Sequence, residues 1–182
     1  MSIHDKVEFH PWNSEPEVGD FFESLVKLHN IQSFLEIGVF QGLTTYNLLS
    51  VLKCRLVGID VEDLRLDIVK KEWKKNKSWF IQNDSLTVLK VFAEEGRRFD
   101  CIFIDSLHDY NQCSQEYWLS ARCMNKDGLV IFHDSTLHEG IVQFVEELKQ
   151  QQLKLNIELL TLNTPSVDGR GGASGITIVR HL

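Results

Sequence analysis

The sequence lacks several features that define common classes of protein. None of its apolar runs approaches the ~20 residues of a membrane-spanning helix, and its N-terminus has no charged start followed by an apolar stretch. Its four cysteines, Cys54, Cys101, Cys113 and Cys123, form no C-x-x-C pair, so the usual zinc-knuckle and thioredoxin-like sites are excluded. We therefore expect a soluble, cytoplasmic protein with reduced thiols.

Basic residues are outnumbered as well. The chain has 19 Lys and Arg against 26 Asp and Glu, and its formal net charge is -7. A nucleic-acid partner is disfavoured, because general polyanion binders need a basic face to displace phosphate counterions. The lysine-rich run over residues 70–77 is accordingly expected to form a solvated helix face.

What the chain does contain is a regular alternation of strands and helices. Predicted strands cover residues 33–38, 55–60, 78–82, 99–104 and 129–132, and predicted helices cover 43–52, 62–75, 85–95, 112–123 and 139–151, after an N-terminal helix that starts near Pro16. Solidly apolar strands that alternate with helices are typical of a parallel sheet covered on both faces. Residues 155–162 and 176–180 have no helix between them, so they are expected to pair as an antiparallel hairpin.

The glycine turn after the first strand lacks one glycine of the dinucleotide-binding fingerprint. In the run Glu36-Ile37-Gly38-Val39-Phe40-Gln41-Gly42, a glutamate stands where G-x-G-x-x-G begins. A carboxylate there repels a pyrophosphate but suits a ligand with ammonium and sulfonium groups, the charge pattern of S-adenosylmethionine. Gly38 and Gly42 allow the backbone to approach such a ligand closely.

The next two strand ends offer further cofactor contacts. Asp60 can accept hydrogen bonds from two ribose hydroxyls, and Asp84 with Ser85 is placed near an adenine edge. Asp84 is equally well suited to cap the following helix. Phe40 and Val61, beside these groups, complete the candidate cofactor site.

In this order and spacing the chain resembles the class I S-adenosylmethionine-dependent methyltransferases over nearly its whole length. The resemblance implies a doubly wound, Rossmann-like α/β fold with a seven-stranded sheet, an antiparallel last strand and helices on both faces. It implies one domain over residues 1–182, with an N-terminal segment and helix in 1–31 and the cofactor-binding sheet in 32–182. Residues 99–110 and 128–134 resemble more narrowly a small-molecule O-methyltransferase branch with macrocin, mycinose and cephalosporin-hydroxylase-like members and, more distantly, catechol O-methyltransferase.

Asp105 and Asp134 follow the fourth and fifth strands. Neighbouring parallel strands lie ~4.8 Å apart, so the two carboxylates can converge on a cation such as Mg²⁺. Catechol-type relatives hold metal ligands there, followed by Asn or Asp where this chain has Ser135, and sugar-type relatives have an acid at the His133 position. Because imidazole suits transition metals better than Mg²⁺, the metal is left open. His133 is the third candidate ligand, but it faces the site together with Asp134 only if the strand has ended.

His108 is the candidate general base. It lies three residues after Asp105, where the catechol-type relatives carry a lysine that deprotonates the substrate, and imidazole accepts a proton near neutral pH. We therefore assign Asp105 and His108 to catalysis. His138 is within reach of the site, although a solvated helix start is the simpler interpretation, and His4, His10 and Trp12 are candidates for a lid over the cofactor.

The leading hypothesis is methyl transfer from S-adenosylmethionine to a hydroxyl of a small molecule, assisted by a divalent metal. Three alternatives stay open: a metal-independent methyltransferase, an iron-dependent oxygenase with His108, His133 and an aspartate as ligands, and a non-catalytic cofactor-binding module. A homodimer is a further expectation. The acceptor stays unassigned, because the chain has almost no insertions between its strands and helices to recognise one.

Overall fold

The computed structural model describes residues 10, 13, 16–51, 55–163 and 174–182. The elements among them are α1 (Pro16–His29), β1 (Ser33–Ile37), α2 (Leu43–Val51), β2 (Arg55–Asp60), α3 (Asp67–Lys75), β3 (Trp79–Gln82), α4 (Ser85–Glu94), β4 (Phe99–Ile104), α5 (Tyr110–Ala121), β5 (Met124–Phe132), α6 (Glu139–Leu155), β6 (Ile157–Leu162) and β7 (Ile176–His181). The predicted lid residues His4 and Trp12, together with Cys54, lie outside the described residues.

The seven strands form one sheet in the order β3-β2-β1-β4-β5-β7-β6. The first five strands along the chain pair parallel, whereas β7 pairs antiparallel with both β5 and β6. This arrangement confirms the predicted doubly wound sheet and its antiparallel last strand. The strand order reverses between β1 and β4, and the carboxyl ends of such strands form the crevice in which open α/β sheets bind ligands.

Within the part of the chain that the structure describes, three helices cover each face of the sheet. Helices α1, α2 and α3 pack on one face, where the Phe22 ring meets the rings of Phe34 and Phe103 edge to face at 5.4 and 4.6 Å. Helices α4, α5 and α6 pack on the other, around the buried Tyr117 and Phe144. Because successive strand residues point to opposite faces, the solidly apolar strands feed both cores.

Several elements begin at residues other than those predicted, and α3 and β5 differ most, each by five residues. Helix α3 starts at Asp67 instead of residue 62, because Asp63 turns back to bind Arg65 through two hydrogen bonds of 2.8 and 3.0 Å. The Arg65 guanidinium also lies 3.9 Å from the centre of the Phe80 ring, which holds residues 61–66 as a loop beside the glycine turn. Strand β5 starts at Met124 instead of residue 129, because Met124 pairs with Phe99 across an irregular register.

Helices α5 and α6 differ from their predicted bounds by two residues or more. Helix α5 starts at Tyr110 and not at residue 112, because the Asp109 carboxylate accepts the Gln112 N–H and caps it. Helix α6 continues to Leu155 and is capped by Asn156, whose φ of 54° is left-handed, so β6 begins at Ile157. Among the described residues, no helix has the length and apolar character required to cross a membrane.

Candidate active site

The glycine turn is docked against the loop that follows β4. Gly38 has a φ of +84°, and a Cβ at this position would lie only 2.0 Å from the carbonyl oxygen of Asp105. The Gly38 N–H donates to the Ile59 carbonyl at 2.9 Å, and the Asp105 N–H donates to the Ile37 carbonyl at 2.8 Å. Glycine is therefore required at position 38 for packing as well as for approach to a ligand, since only glycine lets these two loops touch.

Asp60 shapes the same turn. One oxygen of its carboxylate accepts the N–H groups of Val39 and Phe40, both at 2.8 Å, and the other accepts the Glu62 N–H at 3.2 Å. These bonds hold Phe40 in a left-handed conformation, with a φ of 47°. The lone pairs that remain on the carboxylate are the ones that ribose hydroxyls would use.

Glu36 is a buried carboxylate with an unsatisfied oxygen. The residue is 1% exposed, and its Oε2 atom has no hydrogen-bond partner among the described residues. Burial raises the pKa of Glu36 well above its usual range, the charge of Asp105 adds to this, and a hydrogen bond with Thr45 opposes it. An uncompensated buried charge is unfavourable until it meets a cation, so the site fits a positively charged ligand.

Asp84 and Ser85 have structural partners at the start of α4. The Asp84 carboxylate caps the helix by accepting from the N–H and the hydroxyl of Thr87, each at 2.8 Å, and these bonds lower the pKa of Asp84. Ser85 is buried. Of the other predicted cofactor residues, Val61 is exposed, and Phe40 packs on the ring of His10 at 5.0 Å.

A buried carboxylate that the sequence does not single out, Glu116, connects these segments. Its Oε1 accepts from the Ser85 hydroxyl at 2.6 Å and from the Gln112 amide at 2.9 Å, and its Oε2 accepts from the Ser106 hydroxyl at 2.7 Å. Burial raises the pKa of Glu116, although these donors oppose the shift. The sequence feature that could have indicated burial of Glu116 is its position one residue before Tyr117, on the buried side of α5.

Four predicted residues, Asp105, His108, His133 and Asp134, come together beyond β4 and β5. One candidate ligand atom from each lies within 4.8 Å of all the others. His133 Nδ1 is 3.1 Å from Asp105 Oδ1, and His108 Nε2 is 3.5 Å from Asp105 Oδ1 and 3.6 Å from Asp134 Oδ2. We call this group the Asp-His cluster.

The end of β5 explains how two consecutive residues reach the same site. The strand stops at Phe132, and the His133 N–H still donates to the Ile104 carbonyl at 3.0 Å. Asp134 then adopts a left-handed φ of 53°, which breaks the alternation of side chains between the two faces. The next residue, Ser135, is buried and accepts a hydrogen bond from the Thr177 hydroxyl at 2.8 Å.

The two carboxylates of the cluster have opposite pKa shifts. Burial alone would raise the pKa of Asp105, but His133 and His108 outweigh it, and the pKa is lowered. For Asp134, burial and the nearby charge of Asp105 outweigh the neighbouring histidines, and the pKa is raised. Two carboxylates this close repel each other unless a proton or a cation lies between them.

The donor set of the cluster fits a divalent cation. His108 Nε2 is buried and has no hydrogen-bond partner among the described residues, while the two carboxylates provide negative charge beside it. Two imidazoles combined with two carboxylates suit a transition metal better than Mg²⁺, which prefers oxygen ligands alone.

Beside the cluster, His138 lies 3.5 Å from Asp134 Oδ2 and stacks on the His108 ring at 4.6 Å, so this half-exposed helix start reaches the site as well.

A seven-stranded sheet with an acidic glycine turn at its switch point defines the class I methyltransferase fold. The model of the O-methyltransferase family matches residues 4–178, and the chain belongs to that family. It is an S-adenosylmethionine-dependent O-methyltransferase with a small-molecule substrate.

Relatives agree with the family, and solved structures agree with the fold. Caffeoyl-CoA O-methyltransferase 1 of Eucalyptus globulus is 31% identical over 196 residues, covering 95% of this chain and 77% of the relative. The corresponding enzyme 1 of Nicotiana tabacum is 27% identical and covers 95% and 80%. An O-methyltransferase from Bacillus cereus, solved with SAH, superposes with a TM-score of 0.75 at 19% identity, over 99% of this chain and 86% of that one. TomG from Streptomyces achromogenes, solved with SAM, superposes with a TM-score of 0.73 at 16% identity, over 93% and 82%.

Proposed function

We propose that Asp105, His133 and Asp134 hold a divalent cation and that His108 removes the proton from the acceptor hydroxyl. The observation that carries this proposal is the buried His108 Nε2, which has no hydrogen-bond partner among the described residues and lies 3.5–3.6 Å from both aspartates. Near these carboxylates an imidazolium is stabilised once the proton has been taken. When bound, the cation would lower the pKa of the hydroxyl.

The cofactor would occupy the crevice at the carboxyl ends of β1 and β2. Glu36 would balance the positive charge of the cofactor, and Asp60 would bind its ribose. The glycine turn at Gly38 would let the cofactor lie close to the backbone. The remaining members of the proposed cofactor site are Phe40, Gly42, Val61, Asp84, Ser85 and Asp105.

Close contact between the two loops supports transfer of the methyl group between them. Gly38 touches the Asp105 carbonyl, so a cofactor at the glycine turn and a hydroxyl at His108 would lie next to each other. The hydroxyl oxygen would attack the methyl carbon in line with the bond to sulfur, the carbon–sulfur bond would break, and SAH would leave. Positioning of this kind is the largest contribution that the protein can make, because sulfonium is already a good leaving group.

Calorimetry tests the cofactor half of the proposal. We expect SAM and SAH to bind the wild-type protein, and binding to weaken by about tenfold or more in Glu36→Ala and Asp60→Ala, the range expected when a charged contact or the turn is lost. Intact binding in both variants would count against the assigned cofactor site.

A second candidate is metal-independent transfer. It is favoured by the direct 3.1 Å contact between His133 Nδ1 and Asp105 Oδ1, which satisfies both groups without a cation. Elemental analysis of the purified protein, followed by methyl-transfer assays with and without a chelator, separates the two candidates. Activity that survives complete metal removal would support the second.

We also propose a homodimer, no nucleic-acid partner and a cytoplasmic location, which rest on the sequence alone, as does one domain over residues 1–182. Light scattering on the purified protein would measure the first of these.

A further inference from the structure

A groove opens beside the Asp-His cluster. It has a volume of about 600 Å³ and lies between the loop after β4 and the start of α6, where Leu107, His108, Asp109, His138 and Glu139 are among its lining residues. His108 belongs to both the cluster and the groove. A molecule that presents its hydroxyl to His108 would therefore extend into this groove.

The segments that build the groove carry carboxylates but no lysine or arginine. Residues 99–121 and 129–148 contain no lysine or arginine, although the chain has 19 of them. The same segments place exposed carboxylates at Asp109 and Glu139. Behind the wall, Glu147 accepts a hydrogen bond from the Tyr110 hydroxyl at 2.6 Å, so its charge is fixed there as well.

The helix N-termini at the groove do not reverse this field. Helix N-termini attract anions because their first N–H groups are unpaired. At α5 the Asp109 carboxylate already accepts one of these groups, the Gln112 N–H, at 3.0 Å. At α6 the acidic Glu139 occupies the first turn. At α5 a carboxylate of the chain thus takes the place that an anionic ligand would use, and at α6 the charge of Glu139 lies beside that place.

The groove also has a flat wall, made of two imidazole rings and an aliphatic side chain. The rings of His108 and His138 stack with an interplanar angle of 9°, and Leu107 next to them is 67% exposed. Flat ring surfaces with an exposed aliphatic side chain suit an aromatic ligand.

We propose that this groove binds the acceptor and selects a hydroxylated aromatic compound with an ammonium-bearing tail over one with an anionic tail. This inference rests on the proposed function, since it takes His108 as the base. Coenzyme A thioesters, the acceptors that the names of the plant relatives indicate, carry several phosphate charges, and the described lining of the groove offers them no lysine or arginine. The proposed acceptor differs from the acceptors named for these relatives in the charge of its tail. The methyl-transfer chemistry is the same.

A charge series of acceptors tests the proposal. Calorimetry on the complex with SAH and Mn²⁺ would compare a catechol with an ethylamine tail, the same catechol with a propionate tail, and caffeoyl-CoA. We expect the amine to bind at least about tenfold more tightly than the propionate, because two carboxylates at short range act on opposite tail charges, and caffeoyl-CoA to bind most weakly. Equal affinities, preference for either anion, or no binding of any of the three overturns the proposal.

Charge reversal within the groove provides the matched control. Glu139→Lys should reduce the preference for the amine to less than about threefold, whereas Glu94→Lys, at the far end of α4, changes the net charge equally and should leave it intact. Equal effects of the two variants would assign the preference to the whole-molecule charge and overturn the role of the groove. Failure of the proposed function would be seen separately, as absence of SAH binding or of methyl transfer to every acceptor.

Discussion

At the scale of single residues, the buried charge of Glu36 favours cofactor binding but lowers the stability of the cofactor-free fold. Its pKa is raised in the folded protein, so the folded state holds the proton more tightly than the unfolded chain. Folding stability is therefore lost as the pH rises above the usual value of 4.5, and the full penalty applies above the raised pKa. The same negative charge is what a cationic cofactor would compensate.

Glu36→Gln removes that charge at nearly constant volume. We expect the cofactor-free variant to melt at least about 2 °C higher than the wild type near neutral pH, with the difference disappearing by about pH 4, where the unfolded carboxyl is protonated too. We expect weaker SAM binding in the same variant. Scanning fluorimetry across this pH range and calorimetry measure the two effects, and a variant that is less stable at neutral pH would contradict the assignment of an unpaired charge.

Asp134 combines a charge with an unusual backbone conformation, and two substitutions separate these roles. Asp134→Asn and Asp134→Ala both remove the carboxylate, so we expect both to weaken binding of Mn²⁺ by more than about tenfold, the size of effect seen even for groups that only support ligands. Only alanine is poorly suited to a φ of 53°, so Asp134→Ala should lose about a further 1 kcal/mol of unfolding free energy. Metal titration and urea denaturation measure these effects, and equal stability of the two variants would show that the turn is not strained.

At the scale of elements, Glu116 links the start of α4 to the loop after β4. Glu116→Gln replaces one of the two accepting oxygens with an NH₂ group. At least one of the three donors, the Ser85 and Ser106 hydroxyls and the Gln112 amide, then loses its acceptor. We expect the unfolding free energy to fall by about 1–3 kcal/mol, the opposite of the effect of the same substitution at Glu36. Because both ends of the network border the proposed cofactor site, KM for SAM should rise more than kcat falls.

A conservative change checks that this effect belongs to the network. In Ser106→Ala a hydroxyl donor is lost but the carboxylate keeps its bonds to Ser85 and Gln112, so the unfolding free energy should fall less than in Glu116→Gln. Urea denaturation of both variants compares them directly. If Ser106→Ala proved the more damaging, Glu116 would not be the centre of the network.

The elements show which parts of the structure can be predicted from the sequence. Apolar runs predict that each strand exists, because every strand contains one, although the polar start of β5 is missed. The ends of parallel strands meet at one edge, which brings Asp105 near Asp134. The left-handed turn at Asp134 depends on the residues that pack around it, so the sequence does not predict that His133 reaches the same site. Glu116 is missed for a related reason, since an acidic residue on a helix is usually solvated.

At the scale of the whole molecule, the Asp-His cluster joins two central strands of the sheet, so a bound cation should stabilise the entire fold. A ligand that binds only the folded state adds about 2.7 kcal/mol at a concentration one hundred times its dissociation constant, which corresponds to a rise of about 5–10 °C in Tm for a chain of this size. We expect Mn²⁺ or Co²⁺ to produce this rise at lower concentrations than Mg²⁺, because one of the three proposed ligands, His133, is an imidazole.

Two variants determine whether the stabilisation arises at the cluster. His133→Ala should abolish most of the preference for Mn²⁺ over Mg²⁺, since it removes an imidazole and leaves both carboxylates. Glu94→Gln, which removes a carboxylate at the opposite edge of the sheet, should leave the metal-dependent rise in Tm unchanged. Scanning fluorimetry of metal-stripped protein, with a chelator added at the end of each titration to reverse the effect, makes the measurement. A wild-type Tm that no divalent cation moves would leave the cluster as a hydrogen-bonded substrate site, because a filled site bridging β4 and β5 cannot be thermodynamically silent.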